Sequence, residues 1–296
     1  MQVWINGQFH DANSATVGFF DAGFQHGVGL FETLRACDGR AFRPLAHLER
    51  LRASAMALRL VERLNIEAIA EAIDMTLARN GLRDARVRVT LTGGDLNMLA
   101  RAREGGAAEA MHPTIAIVAQ PPTPYPEAMF TEGVRVMVAE GRMNPWDPMA
   151  GHKTLSYWPR LLALQQAAAH GCGEALWFDV ANALGCGCVS NAFIVKDGIV
   201  RTPVARGDSE ASPIPSAVLP GITRAFVIEA ARARGMEVRI ERVCVDDILS
   251  ADECFLTNAS WGVLPVTRLE QESIGRGEPG DVAASLREAW IEAGTG

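Results

Sequence analysis

No run of about 18 apolar residues occurs anywhere in the 296-residue chain, so nothing in it reads as a membrane-spanning helix. Positive charge is also short. There are 28 Lys and Arg against 35 Asp and Glu, a net charge of -7, whereas a nucleic-acid surface needs clustered cations to neutralise phosphates. The six cysteines (Cys37, Cys172, Cys186, Cys188, Cys244 and Cys254) are thinly spread. Cys186 and Cys188 stand close together in "GCGC", but no second Cys or His pair lies at zinc-finger spacing, so no metal is expected. The opening "MQVWINGQFHDA" has neither the basic nor the apolar stretch of a secretory leader, and a cytoplasmic location is the expectation. Apolar material is plentiful at 48% of residues, enough to bury the core of one large domain or two ordinary ones. An enzyme or a protein-binding module remains.

Periodicity divides the chain in two. "QVWING" reads as a strand entering a hairpin at Asn6-Gly7, and "GVGLFETLRACDGRAF" as two strands around Asp38-Gly39. Leu48, Leu51, Ala55 and Leu58 recur at helical spacing, and "IEAIAEAIDMTLARNG" repeats the pattern up to a helix stop at Asn80-Gly81. "ARVRVTLTGG" and "PTIAIVAQ" are strands. "PPTPYPE", residues 121–127, has four prolines in seven residues, which suits neither a helix interior nor a central strand and marks a linker. Beyond it, helices at "YWPRLLALQQAAAHG" and "GITRAFVIEAARARG" alternate with strands at "GVRVMVAE", "EALWFDV", "NAFIVKDGIVRTP", "EVRIERV" and "ECFLTNA". The expected organisation is a small α/β domain over 1–120, a linker over 121–127 and a larger domain over 128–296. "REGGAAEAMHP", residues 103–113, reads as a mobile loop.

Four stretches carry candidate chemistry. "GHKTLSYWPRL" sets Lys153 at the head of an apolar run, where desolvation would disfavour the ammonium and leave a nucleophilic amine; a lysine snorkelling into water fits the same letters. "LPGITR" brings Gly221, Ile222 and Thr223 to the opening of a helix, an anion site if its N–H groups are free and otherwise a plain helix start. "HLERL" offers Arg50 beside His47, suited to a phosphate or to an ion pair. "FLTNASWGVLPV" ends a strand in small polar residues, a ligand platform or a turn.

In order along the chain, "DAGFQHGVGLFETLRACDGRAFRPLAHLERL", "GHKTLSYWPRL", "SNAFIVKDGIVRTP", "VLPGITR" and "ADECFLTNASWGVLPV" resemble the class IV aminotransferases, the fold-type IV enzymes of pyridoxal 5'-phosphate. That family includes branched-chain and D-amino-acid aminotransferases, R-selective amine transaminases and 4-amino-4-deoxychorismate lyase. The resemblance runs from about Val3 to about Leu269. It implies an α/β (α+β) fold of type IV, with a small α/β N-terminal domain and a larger pseudo-barrel domain, assembled as a homodimer. It further implies that Lys153 forms the Schiff base and moves the substrate proton, that Arg50, Ile222 and Thr223 hold the cofactor phosphate, and that Asn258 and Ala259 lie near phosphate and substrate carboxylate. His26 and Phe31 become candidates to face the substrate.

The chain departs from the family at three places. Counting five back from Asn191 gives Cys186 where a glutamate ordinarily meets the cofactor's ring nitrogen, and no carboxylate lies between Asp179 and Asp197. "LTGGDLNM" has Gly93 where many transaminases of the family have arginine, and His26 replaces an expected tyrosine or phenylalanine. The activity implied is amino-group transfer between a small amino acid or amine and a keto acid. Alternatives are a lyase of the 4-amino-4-deoxychorismate type and a non-catalytic binding protein that keeps the fold.

Overall fold

The computed structural model describes residues 1–95, 113–208 and 214–295. Apart from Pro113, the loop expected at 103–113 lies outside the described residues. The chain forms two compact units, Met1–Thr123 with His152–Ser156, and Pro124–Gly151 with Tyr157–Gly296. The segment carrying Lys153, placed by its position in sequence among the residues of the larger domain, thus packs with the first unit.

The first unit contains β1 (Gln2–Ile5), β2 (Gln8–Asp11), α1 (Ala22–His26), β3 (Gly29–Cys37), β4 (Arg40–Ala41), α2 (Pro44–Ala57), α3 (Ile66–Arg79), β5 (Ala85–Thr92) and β6 (Ile115–Gln120). Its strands run in the order β2-β1-β6-β5-β3-β4. The β1–β2 turn uses Asn6 and Gly7 at φ 45° and 93°, the positive values that favour Asn-Gly in such hairpins. Asn65 caps α3 by accepting from Ala68 N at 3.0 Å. Leu48, Leu51, Ile69, Ile73 and Leu77 from the helices meet Leu34, Val87, Val89 and Ile117 from the sheet in one buried cluster. Burying each such side chain contributes about 1.5–3 kcal/mol. Residues 153–155 align against the start of β3: Phe31 N donates to Lys153 O and Leu155 N to Gly29 O, both at 2.9 Å.

The second unit contains α4 (Ala128–Thr131), β7 (Val134–Met143), α5 (Trp158–Ala169), β8 (Glu174–Asp179), β9 (Leu184–Gly187), β10 (Asn191–Lys196) and β11 (Ile199–Thr202). It continues with α6 (Ile222–Ala233), β12 (Val238–Ile240), α7 (Val245–Leu249), β13 (Glu253–Asn258), β14 (Gly262–Leu269), β15 (Glu272–Ser273) and α8 (Asp281–Thr295). Strands follow the order β12-β11-β10-β13-β14-β7-β8-β9, and β9 also pairs with β10 through Cys186 and Asn191. That pairing closes β10, β13, β14, β7, β8 and β9 on themselves, the barrel-like sheet that the resemblance leads one to expect. β7 and β8 are parallel, and α5 supplies the crossover that a parallel pair requires. The closing strand β9 escaped the periodicity reading because its four residues "LGCG" carry little side chain with which to show a pattern. No helix among the described residues is long and apolar enough to cross a membrane.

Candidate active site

In the first unit the chemistry gathers on β3 and α2. Phe31 is buried, and its ring has Lys153 Nζ at 4.4 Å and Arg88 Cζ at 3.9 Å from the centroid. Both are distances at which a cation is drawn to the face of an aromatic ring. Arg88 is half-buried on β5 and its Nε donates to Thr90 Oγ1 at 3.2 Å.

The next residue, Glu32, points to the other side of β3 and meets α2. Its carboxylate accepts from Arg50 Nε at 2.8 Å and Nη2 at 2.6 Å, a two-point pairing, and from His47 Nδ1 at 2.7 Å. Burial alone would raise the Glu32 pKa. The Arg50 charge and the hydrogen bonds from His47 and Arg50 outweigh burial and hold it at about 2. An ionised carboxylate only accepts, so His47 Nδ1 carries the shared proton. Burial pushes the His47 pKa down, with Glu32 opposing. The imidazole is therefore neutral, and the cluster of one anion and one guanidinium balances. Arg50 is fixed on its Nε/Nη2 edge by Glu32, the ion-pair reading of "HLERL".

In the second unit one row of residues crosses three strands: Cys186 on β9 opposite Asn191 on β10, and Asn191 opposite Thr257 on β13. Directly opposed residues share a face, and two strand spacings make the row about 10 Å long. Asn191 Nδ2 donates to Leu219 O at 2.9 Å, and a Cβ on Gly221 would stand 2.0 Å from Asn191 Oδ1, so only glycine permits this approach of the α6 start. Gly221 begins α6 with no side-chain cap, which leaves the N–H groups of the first turn, including those of Ile222 and Thr223, without that partner. Thr223 is buried, and the Thr257 hydroxyl is buried with no hydrogen-bond partner. An uncapped helix N-terminus beside an orphaned hydroxyl fits an anionic group such as a phosphate.

Asn258 is spent differently. Its Oδ1 accepts from Ser260 N at 2.9 Å and Trp261 N at 3.0 Å, and its Nδ2 donates to Val189 O at 3.3 Å, so it shapes the turn that contains Ala259. His26 is exposed at the end of α1. Cys186 is buried, with Arg160 Nη1 at 3.2 Å and Met143 Sδ at 3.8 Å from its sulfur. No cluster of three or more His, Cys, Asp or Glu able to hold a metal is present among the described residues.

Glu32, Arg88 and Arg160 were not singled out as site residues from the sequence, and Thr257 only as part of the small polar group ending "FLTNAS". Two left a signal: Glu32 is an acid inside the apolar strand "GLFETLRAC", and Arg160 is the one charge in "WPRLLALQQAAA".

The family model described as Amino-transferase class IV matches residues 29–269. A putative branched-chain-amino-acid aminotransferase of Methanocaldococcus jannaschii is 33% identical over 291 residues, covering 98% of this chain and 95% of the relative. The aminodeoxychorismate lyase of Bacillus subtilis is 26% identical over 289 residues, covering 96% and 92%. Among solved structures, a T.th. branched-chain amino acid aminotransferase with pyridoxamine 5'-phosphate is similar, with a TM-score of 0.86, 28% identity and coverage of 99% of this chain and 94% of that one.

Proposed function

Because the chain belongs to the class IV aminotransferase family, we propose that this aminotransferase uses pyridoxal 5'-phosphate to move an amino group from a small α-amino acid to a keto acid, with Lys153 as its central amine. When bound, the cofactor supplies an electron-withdrawing ring that takes up negative charge as the substrate's Cα–H bond breaks. Lys153 is the residue that would hold the cofactor covalently and carry the proton at the substrate's α-carbon. Its backbone is tied to β3 at Phe31, so the amine's reach is set by the sheet rather than by a free loop. The N–H groups of Ile222 and Thr223 and the Thr257 hydroxyl would bind the phosphate, and Arg50, oriented by Glu32, would add its charge.

The observation that carries the substrate class is Arg88. It puts a permanent cation on the same phenylalanine ring as Lys153, a natural partner for a carboxylate on the molecule that reacts there. That favours amino acids over simple amines. We assign a homodimer, supported by the exposed apolar face of α5 formed by Trp158, Leu161 and Leu162. Light scattering of the purified protein tests that assignment.

The test of the activity is a screen of amino donors in matched pairs with and without the carboxylate, followed by detection of the keto acid. Turnover is expected for the amino acids and at least tenfold less for the amines. Lys153→Ala is expected to cut turnover by orders of magnitude, because one amine serves as both anchor and proton carrier. Near-normal turnover in that variant refutes the assignment.

A further inference from the structure

Arg160 has no part in the activity as described so far. It enters near the start of α5 and turns its guanidinium onto β9, where Nη1 donates to Cys186 Sγ at 3.2 Å and to Gly187 O at 3.0 Å. Nη2 lies 3.8 Å from Met143 Sδ, and Cζ lies 5.5 Å from the centre of the Trp177 ring. Among the described residues no carboxylate lies within ion-pair distance of it. The titratable groups that face Cys186 and Arg160 are Tyr157 on the α5 side and Cys188 just past the end of β9, and behind these two lies Glu174 on β8. Tyr157 donates its hydroxyl to Cys188 O at 3.0 Å. Glu174 faces elsewhere, accepting from Ala175 N, Cys188 N, Val189 N and Ser190 Oγ at 2.9–3.2 Å.

The row Cys186–Asn191–Thr257 meets the α6 start at Asn191, against which Gly221 packs, and ends at the orphaned Thr257 hydroxyl, the far side from Cys186. Cys186 stands about 10 Å from Thr257, two strand spacings along the row, at the end where a ring whose phosphate is held by Thr257 would present its far edge. A glutamate there would bring the charge beside Arg160 to 0. The cysteine, whose thiol donates to Met143 Sδ and so keeps its proton, leaves +1. The negative charge that favours a protonated ring nitrogen is absent, and a fixed cation stands behind the sulfur.

We propose that Arg160 is a positioning residue that acts through Cys186 to keep the cofactor's ring nitrogen unprotonated. This rests on the pyridoxal-phosphate reading above. The ring then withdraws electrons less strongly, and this aminotransferase works with a weaker electron sink than a carboxylate partner would give.

The test reads the nitrogen itself. The protein is loaded with pyridoxal 5'-phosphate carrying ¹⁵N in the ring, and the shift is followed by NMR across pH, with the free cofactor titrated as a two-ended reference. The wild type is expected at the neutral-pyridine end at pH 7.5, and Cys186→Glu at the protonated end. Arg160→Gln should raise the pH at which the nitrogen takes up its proton by at least about one unit, a tenfold gain in proton affinity, because a like charge has been removed. Arg160→Lys should stay close to wild type. A wild-type nitrogen at the protonated end overturns the proposal, as does an Arg160→Gln titration that superimposes on wild type. If Arg160→Gln fails to fold, the wild-type and Cys186→Glu spectra still decide. Failure of the wild type to take up cofactor in equilibrium dialysis overturns the function reading and this one with it, whereas uptake with a protonated nitrogen overturns this one alone.

Discussion

Among the described residues each unit buries one glutamate and sets an arginine against the strands near it, and the two units arrange the same pair in opposite ways. In the first, Glu32 and Arg50 meet directly, and His47 completes the contact. In the second, Glu174 is enclosed by backbone N–H groups and Ser190 while Arg160 faces the sulfur of Cys186. The consequence shows in the carboxyl groups. Burial pushes both upward, but the Arg50 charge, with the hydrogen bonds from His47 and Arg50, reverses the shift at Glu32 and holds it at about 2. The four neutral donors around Glu174 do not, and it stays above its ordinary value. Hydrogen bonds alone do not offset desolvation here; a formal opposite charge does. The first unit's cluster is thus internally neutralised, and in the second Arg160 has no carboxylate partner among the described residues.

The sharpest way to break the comparison is Glu32→Gln. It strands Arg50 without its carboxylate, and breaking a buried pair from one side costs roughly 3–5 kcal/mol. Urea denaturation at pH 7 is expected to show a loss of that size. The pH dependence gives the sign. Because the folded-state pKa of Glu32 lies below its ordinary 4.5, the stability it contributes is fully present above about pH 4.5 and is lost as pH falls towards 2. The wild type should therefore weaken through that window more steeply than Glu32→Gln. Parallel curves for the two proteins would show that the pairing contributes nothing to folding.

Arg50→Ala attacks the same cluster from the other partner and is expected to act on ligand as well as fold. A charge-assisted contact to a phosphate is worth about 1.5–3 kcal/mol. The cofactor dissociation constant, measured by fluorescence titration, should rise by about tenfold to a hundredfold, with much of the rate restored at saturating cofactor. An unchanged constant would confine Arg50 to the structural pairing with Glu32.

These two predictions mark where the sequence could be read and where it could not. Lys153, the "LPGITR" turn and Arg50 stood out because each sits in a short local pattern whose chemistry is set by adjacent residues. The partners did not. Glu32 lies 18 positions from Arg50, and Cys186 lies 26 from Arg160. Both meetings depend on a helix packing on a strand, which no periodicity reports. Thr257 was legible as a small polar residue at a strand end, but its orphaned hydroxyl follows from β10 and β13 lying side by side. The prolines of 121–127 bracket the passage between the units at Thr123 and Pro124. The return of 152–156 to the first unit is a tertiary event, invisible to composition.

Glu174→Gln sharpens the comparison from the other side. The carboxyl has no cation to strand, so the loss should be limited to imperfect hydrogen bonding around the amide, about 1–2 kcal/mol. Denaturation of Glu174→Gln and Glu32→Gln under one condition provides the measurement. A cost for Glu174→Gln equal to or above that of Glu32→Gln would mean that the four neutral donors match the guanidinium after all.

Cys186→Glu rebuilds in the second unit what the first already has, a carboxylate against an arginine. The new glutamate would lie within reach of Arg160 and, through the same face of β9, at the far end of the row that begins at Thr257. Its charge favours protonation of the cofactor's ring nitrogen, which strengthens the ring as an electron sink when the Cα–H bond breaks. Arg160 works against this by drawing the carboxylate to itself, as Arg50 draws Glu32, so the gain will be smaller than an isolated carboxylate would give. The expected outcome is acceleration of single-turnover amino-group transfer to the cofactor by at least tenfold, or about 1.4 kcal/mol of barrier. Adding Arg160→Gln to Cys186→Glu should raise the rate further, because the carboxylate then has only the ring nitrogen to serve. A wild type already as fast as Cys186→Glu would show that Cys186 does not stand at the ring-nitrogen end of the site, or that another group supplies the missing charge.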